Sequence, residues 1–233
     1  LACCTDAVKE ELLQNGTAQR VFASAHCALP EVRERVLRLA EVLARDPACR
    51  GPLVTDLDVL QTIVAWTNDA LAMPEPARRP TPLSADFSPL ALLLTPALRL
   101  LSAICETPSL ARAVAGHPVA RAAADIMRRG IDRMSCQSAG CSFVMFLALS
   151  ASTVQVIPCE IIERLVAALR RHLKHKPVAL LAICSMVNLA QDETGAMVLA
   201  EAGVPEFYIP PAVFHHRSPQ QLCGPHRTTL SAP

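Results

Sequence analysis

Aromatic residues make up only 3% of this 233-residue chain, with a single tryptophan and a single tyrosine. Sheets draw heavily on aromatic and β-branched side chains, so their scarcity turns the reading toward helix, as does the dominance of Ala and Leu. Glycine is also sparse, at eight residues. Most of them stand where a helical pattern ends, which leaves no Gly-rich loop to cradle a phosphate. No nucleophile elbow, phosphate loop, HExxH helix or dinucleotide fingerprint occurs. The expectation is therefore a non-enzyme with no cofactor and no small-molecule substrate. Net charge is nearly absent too, at +1, so bulk electrostatics points to no polyanion. No signal peptide is visible.

Cysteine is not scarce: there are ten. Cys105, Cys141, Cys159 and Cys184 lie inside apolar helical patterns, where a free thiol acts as a small hydrophobe. A chain this long and apolar does not need disulfide staples. Reduced cysteines imply a cytoplasmic location, or a nuclear one. Ser135–Cys159 carries no charge. That is long enough to span a bilayer, but its Gln, Ser and Thr content and its phase with the surrounding pattern read as a buried helix, so no membrane span is expected.

Four stretches say nearly the same thing: LACCTDAVKEELLQNG (Leu1–Gly16), LARDPACRG (Leu43–Gly51), ICETPSLARAVAG (Ile104–Gly116) and LAQDETGAMVLAEAG (Leu189–Gly203). Each leaves one helix, passes a cap residue (Asp6, Asp46, Thr107 or Asp192), runs through a short helix and stops at glycine. Asp and Thr supply cap oxygens, and the proline after Asp46 and Thr107 suits the first helical position. The caps recur roughly every 40 residues, or about 60 across a proline-rich insert, and a period near 40 marks an α-solenoid. Longer helices are expected over Glu31–Arg45, Asp56–Met73, Leu90–Cys105, Val119–Arg133, Glu160–Lys174 and Pro177–Ala190, where apolar residues keep helical spacing. Leu1 falls at the end of a helical pattern, which reads as a fragment with repeats upstream.

Pro74–Pro89 holds five prolines and reads as an exposed loop. Residues 210–233 are Pro-, Ser- and His-rich, lack an apolar face and read as a disordered tail. His215, His216, Cys223 and His226 have metal-ligand chemistry but match no zinc spacing, and no metal is expected. Arg170–Lys176 (RRHLKHK) reads as a solvated basic helix end. With no aromatics interleaved it gives little sign of nucleic-acid binding.

The unit PVALLAICSMVNLAQDETGAMVLAEAG resembles an armadillo repeat, through Asn188-Leu189-Ala190 and Glu201-Ala202-Gly203-Val204-Pro205. HEAT repeats are the close second. The resemblance covers residues 1–209. It implies an all-α, right-handed superhelical α-solenoid of four to five repeats, whose third helices line a concave groove for extended peptides. In catenin-like and import-receptor members, a Trp and an Asn one turn apart hold the peptide backbone. Four residues before the caps stand Val42, Ala103 and Asn188. Four residues earlier stand Arg38, Arg99 and Cys184. The Trp positions are therefore not tryptophan and one Asn survives, which makes recognition of basic localisation signals doubtful. Arg38 and Arg99 in one groove imply an acidic or phosphorylated protein segment, since guanidinium pairs bidentately with carboxylate and phosphate. Arg38, Arg99, Cys184 and Asn188 are the candidate groove residues of a protein-binding scaffold. The alternative is a structural or regulatory repeat domain of a larger protein, one also carrying a kinase or motor domain.

Overall fold

The structure, a computed structural model, describes residues 6–25, 29–72 and 89–204. Thirteen helices and no strand are found among them. They are α1 (Asp6–Gln14), α2 (Thr17–Ala25), α3 (Pro30–Ala44), α4 (Pro47–Thr55), α5 (Val59–Ala72), α6 (Pro89–Cys105), α7 (Pro108–Gly116), α8 (Val119–Arg129), α9 (Met134–Leu147), α10 (Ala151–Val154), α11 (Cys159–Arg171), α12 (Lys176–Leu189) and α13 (Glu193–Glu201). The described residues are all-α, as the composition implies.

Periodic apolar residues mark α3, α5, α6, α8, α11 and α12 close to their expected spans. In α8, for instance, Val119, Ala120, Ala123, Ile126 and Met127 are all buried while Arg121 and Arg128 face solvent. Five expectations need correction. The uncharged run Ser135–Cys159 is not one helix: α9 ends at Leu147, and the four-residue α10 follows Ser150, whose side chain makes no cap hydrogen bond. Gly51 does not stop α4, which continues to Thr55 with Pro52 inside it. Asp6 is the first residue of α1 rather than its cap. Pro89, taken as the end of the insert, begins α6. Thr107 occupies the cap position of α7, but its side chain does not cap; its hydroxyl accepts instead from Arg50 Nη1 at 3.1 Å. The rest of the proline-rich insert and the tail 210–233 lie outside the described residues.

Helices pack on partners three places away in chain order. α3 lies on α6, α6 on α9 and α9 on α12; α5 lies on α8 and α8 on α11; α1 lies on α4 and α7 on α10. One contiguous apolar core runs through all of these. Leu98, Leu100, Leu101 and Ile104 of α6 and Phe143, Val144 and Leu147 of α9 are fully buried. A fully buried side chain of this size contributes about 1.5–3 kcal/mol. Along α6, α9 and α12, side-chain hydrogen bonds join residues at a nearly constant separation. Ser102 bonds Ser142 (2.9 Å, 40 residues apart), Ser185 donates to Cys141 O (2.9 Å, 44 apart) and Asn188 to Met145 O (3.4 Å, 43 apart).

Polar groups inside the stack are used to join helix ends. Gln137 is fully buried, and its Nε2 donates to Met127 O and Gly130 O, both at 2.8 Å. It thereby ties the C-terminus of α8, whose last carbonyls have no partner within the helix, to the start of α9. Arg50 is buried as well: it donates to Ala44 O at 2.8 Å and pairs with Glu106, binding α4 to the α6–α7 turn. Arg33 stacks over Trp66 (5.5 Å to the ring centroid) and pairs with Asp69 at 2.9 Å, which joins α3 to α5.

None of the six described cysteines is in a disulfide. Cys105, Cys136 and Cys141 sit in the core, where burial raises the thiol pKa. Cys136 and Cys141 are pushed up to about 12, and Cys105 higher still. These thiols stay protonated at neutral pH and act as packing.

Candidate partner-binding surface

The third helix of each set is α3, α6, α9 or α12, and each is followed by a cap residue: Asp46, Thr107, Ser150 and Asp192. Counting back four residues from each gives Val42, Ala103, Phe146 and Asn188; eight back gives Arg38, Arg99, Ser142 and Cys184. All eight reach solvent wholly or in part. One residue beyond the first row, Leu43, Ile104, Leu147 and Leu189 are buried. The alternation follows from helical geometry, since one residue turns a side chain about 100° around the axis. The two rows thus mark the accessible side of a stack whose other sides are packed.

Arg38, Arg99, Cys184 and Asn188 all fall on these rows, in different chemical states. Arg38 is exposed, but its Nε bonds Glu34 Oε1 at 2.6 Å within α3, so its charge is already balanced. Arg99 is exposed and makes no hydrogen bond or ion pair with the described residues. Cys184 is half-buried. Asn188 is half-buried, and its amide donates across to α9.

The character of the surface changes along the stack. α3 carries Glu31, Arg33, Glu34, Arg35, Arg38 and Glu41, whereas α6 carries only Arg99, α9 no charge and α12 only Lys176. At the α9–α12 end, Phe146 and Met145 are half-exposed, and Leu149, Leu180 and Val187 are 62%, 64% and 49% exposed. These large apolar side chains leave that end of the stack without a charged cover. The sequence signal for them is the lack of charge in α9 and its near-absence in α12; of the two, the run Ser135–Cys159 reads from sequence alone as a buried helix.

A second surface lies at the C-terminal ends of α5, α8 and α11. Here each helix end reaches back to the one before it. Arg129 Nη2 donates to Leu71 O (3.3 Å), His172 Nε2 donates to Ile131 O (2.6 Å) and Arg171 Nε pairs with Asp132 at 2.8 Å. The segments involved, RRGIDRM (128–134) and RRHLKHK (170–176), are alike in sequence and adjacent in space.

His215, His216, Cys223 and His226 lie outside the described residues. Within the described residues, no three His, Cys, Asp or Glu side chains are grouped as metal ligands, and no helix is long and apolar enough to cross a membrane. No protein-family model, no curated protein and no solved structure matches the chain.

Proposed function

We propose that this chain is an armadillo-like α-solenoid acting as a non-catalytic scaffold, with a protein segment lying along the stack α3–α6–α9–α12. The observation that carries this reading is the pair of solvent-accessible rows at constant register, one ending in Cys184 and the other in Asn188. Two further features support it. Units that pack only on their neighbours are the defining property of solenoids, and the contacts across sets recur at separations of 40, 43 and 44 residues. Extended peptides fit such a stack because their side chains can be met one unit at a time.

The two ends of the rows favour different parts of a ligand. Arg99, exposed and at the same register position as Arg38, favours a carboxylate or phosphate. Phe146, Leu180 and Val187 favour apolar side chains. The segment we expect is therefore acidic or phosphorylated at one end and apolar at the other. Unpaired cysteines in the core support a cytoplasmic or nuclear setting.

Photo-crosslinking from positions 99, 146 and 188 of the full chain tests this directly. Crosslinks from all three to one partner segment are expected. Capture should fall in Arg38→Glu/Arg99→Glu and in Phe146→Asp while the helical circular dichroism is retained. Unchanged capture by these folded variants, or crosslinks only from positions outside the rows, would overturn the proposal.

A further inference from the structure

We propose that the two adjacent basic turns, after α8 and after α11, form a docking surface for an anionic lipid membrane. Residues 125–134 and 170–176 together contain Arg128, Arg129, Arg133, Arg170, Arg171, Lys174 and Lys176, against only Asp125 and Asp132. The whole chain has a net charge of +1, so this patch holds an excess of cations that the remainder offsets with net negative charge. His172 to Ile131 O and Arg171 to Asp132 bring the two turns together into one patch.

Helix-end electrostatics does not account for it. Cations at the C-termini of α8 and α11 suit the helix dipole, but Arg133 is the cap residue of α9 and Lys176 the first residue of α12. A positive charge at a helix N-terminus is unfavourable. Lys176, exposed and kept where its own helix disfavours a cation, points to an external anion.

Three observations select a lipid surface over a phosphorylated peptide or a nucleic acid. The first is the state of the arginines. Arg128 is paired with Asp125 (3.0 Å), Arg171 with Asp132, and Arg170 Nη2 donates to Ala202 O (3.0 Å) and Gly203 O (3.2 Å). Their guanidinium forks are occupied, whereas a phosphopeptide site needs free ones for bidentate contact. The charges left without a partner among the described residues are the exposed Lys174 and Lys176. Lysines act as point charges suited to diffuse attraction toward anionic headgroups. The second is the aliphatic tip of the patch: Leu173 is 67% exposed and Met134 50%. An apolar side chain ringed by cations can enter the headgroup region while the cations meet phosphates. The third is that neither turn holds a Phe, Tyr or Trp to stack on a base.

Vesicle flotation of the full chain tests the proposal. Wild type should float with phosphatidylcholine vesicles containing phosphatidylserine, not with phosphatidylcholine alone, and should be released by raised salt. Lys174→Glu/Lys176→Glu should weaken partitioning at least about tenfold, and Leu173→Ser should weaken it as well. Neither change should lower the melting temperature, because these side chains pair with nothing described and a carboxylate at position 176 suits the N-terminus of α12. No flotation of wild type at low salt overturns the proposal, as does unchanged flotation of either variant. Capture by a phosphorylated or polyglutamate peptide without flotation would also overturn it, in favour of a protein partner.

Discussion

Asp46 and Thr107 occupy the same place in their units: each follows a third helix and precedes a proline at the first helical position. They do different work. Asp46 Oδ1 accepts from Ala48 N at 3.1 Å, a local cap. Thr107 leaves its own helix uncapped by its side chain and accepts from Arg50, which arrives from the preceding unit carrying Glu106 and Ala44 O on its other nitrogens. Asp192 returns to the local pattern, with its Oδ1 taking Thr194 N at 3.0 Å. The position of a cap is set by local sequence, but the use of its oxygen depends on whether a buried cation in the neighbouring unit competes for it.

The largest expected effect extends the comparison to the Asp192 turn, which is tightened by backbone proximity rather than by charge. A Cβ on Gly195 would lie 2.2 Å from Leu189 O. Gly195→Ala should therefore cost about 3 kcal/mol, because backbone must move. Urea unfolding checks this, and a midpoint equal to wild type would show the turn to be loose. Next is the charged junction. Glu106→Ala should cost about 2 kcal/mol, since it leaves the Arg50 guanidinium, 8% exposed, with one anion fewer. Glu106 is 41% exposed, which keeps the loss below that of a fully buried pair.

The sharpest test of the contrast itself is a pair of double-mutant cycles. Asp46→Ala and Thr107→Ala should each cost about 1 kcal/mol. Combined with Arg50→Met, Thr107→Ala should lose most of its effect, whereas Asp46→Ala should lose clearly less, because its oxygen caps Ala48 N. Equal coupling in both cycles would break the distinction. The smallest effect belongs to an ion pair that is local and exposed, the opposite extreme from Arg50. Glu34→Gln removes the partner of Arg38 and should cost only about 0.3–0.5 kcal/mol, diminishing further in high salt.

The sequence made the long helices legible because their apolar spacing is local information. α3 and α6 begin one residue from where the spacing puts them, and α12 ends one residue short of it. α10 was not legible: Ala151–Val154 is four residues long, and Ser150 is followed by neither the proline nor the glycine that marks the other turns. α2 was missed for a related reason, since Phe22 is the only large side chain among its buried residues. The rows through Arg38, Arg99, Cys184 and Asn188 were legible as a register, because counting from caps needs only the sequence. Their chemical states were not. Asn188 spends its amide on Met145, 43 residues away, and no local pattern encodes that. The likeness of RRGIDRM to RRHLKHK is written in the chain; the contact between the two turns follows only from α8 packing on α11.

The substantial helix pairings all join elements no more than three places apart. Such a structure has no keystone. Mechanical tension applied at its two ends would meet no single clasp whose release frees the whole. It should lengthen in steps, the outermost helices peeling away while the inner ones keep their neighbours. A chain joined this way behaves as a spring whose stiffness belongs to each junction separately, and the Arg50 junction, held by charge as well as by packing, is where it should yield late.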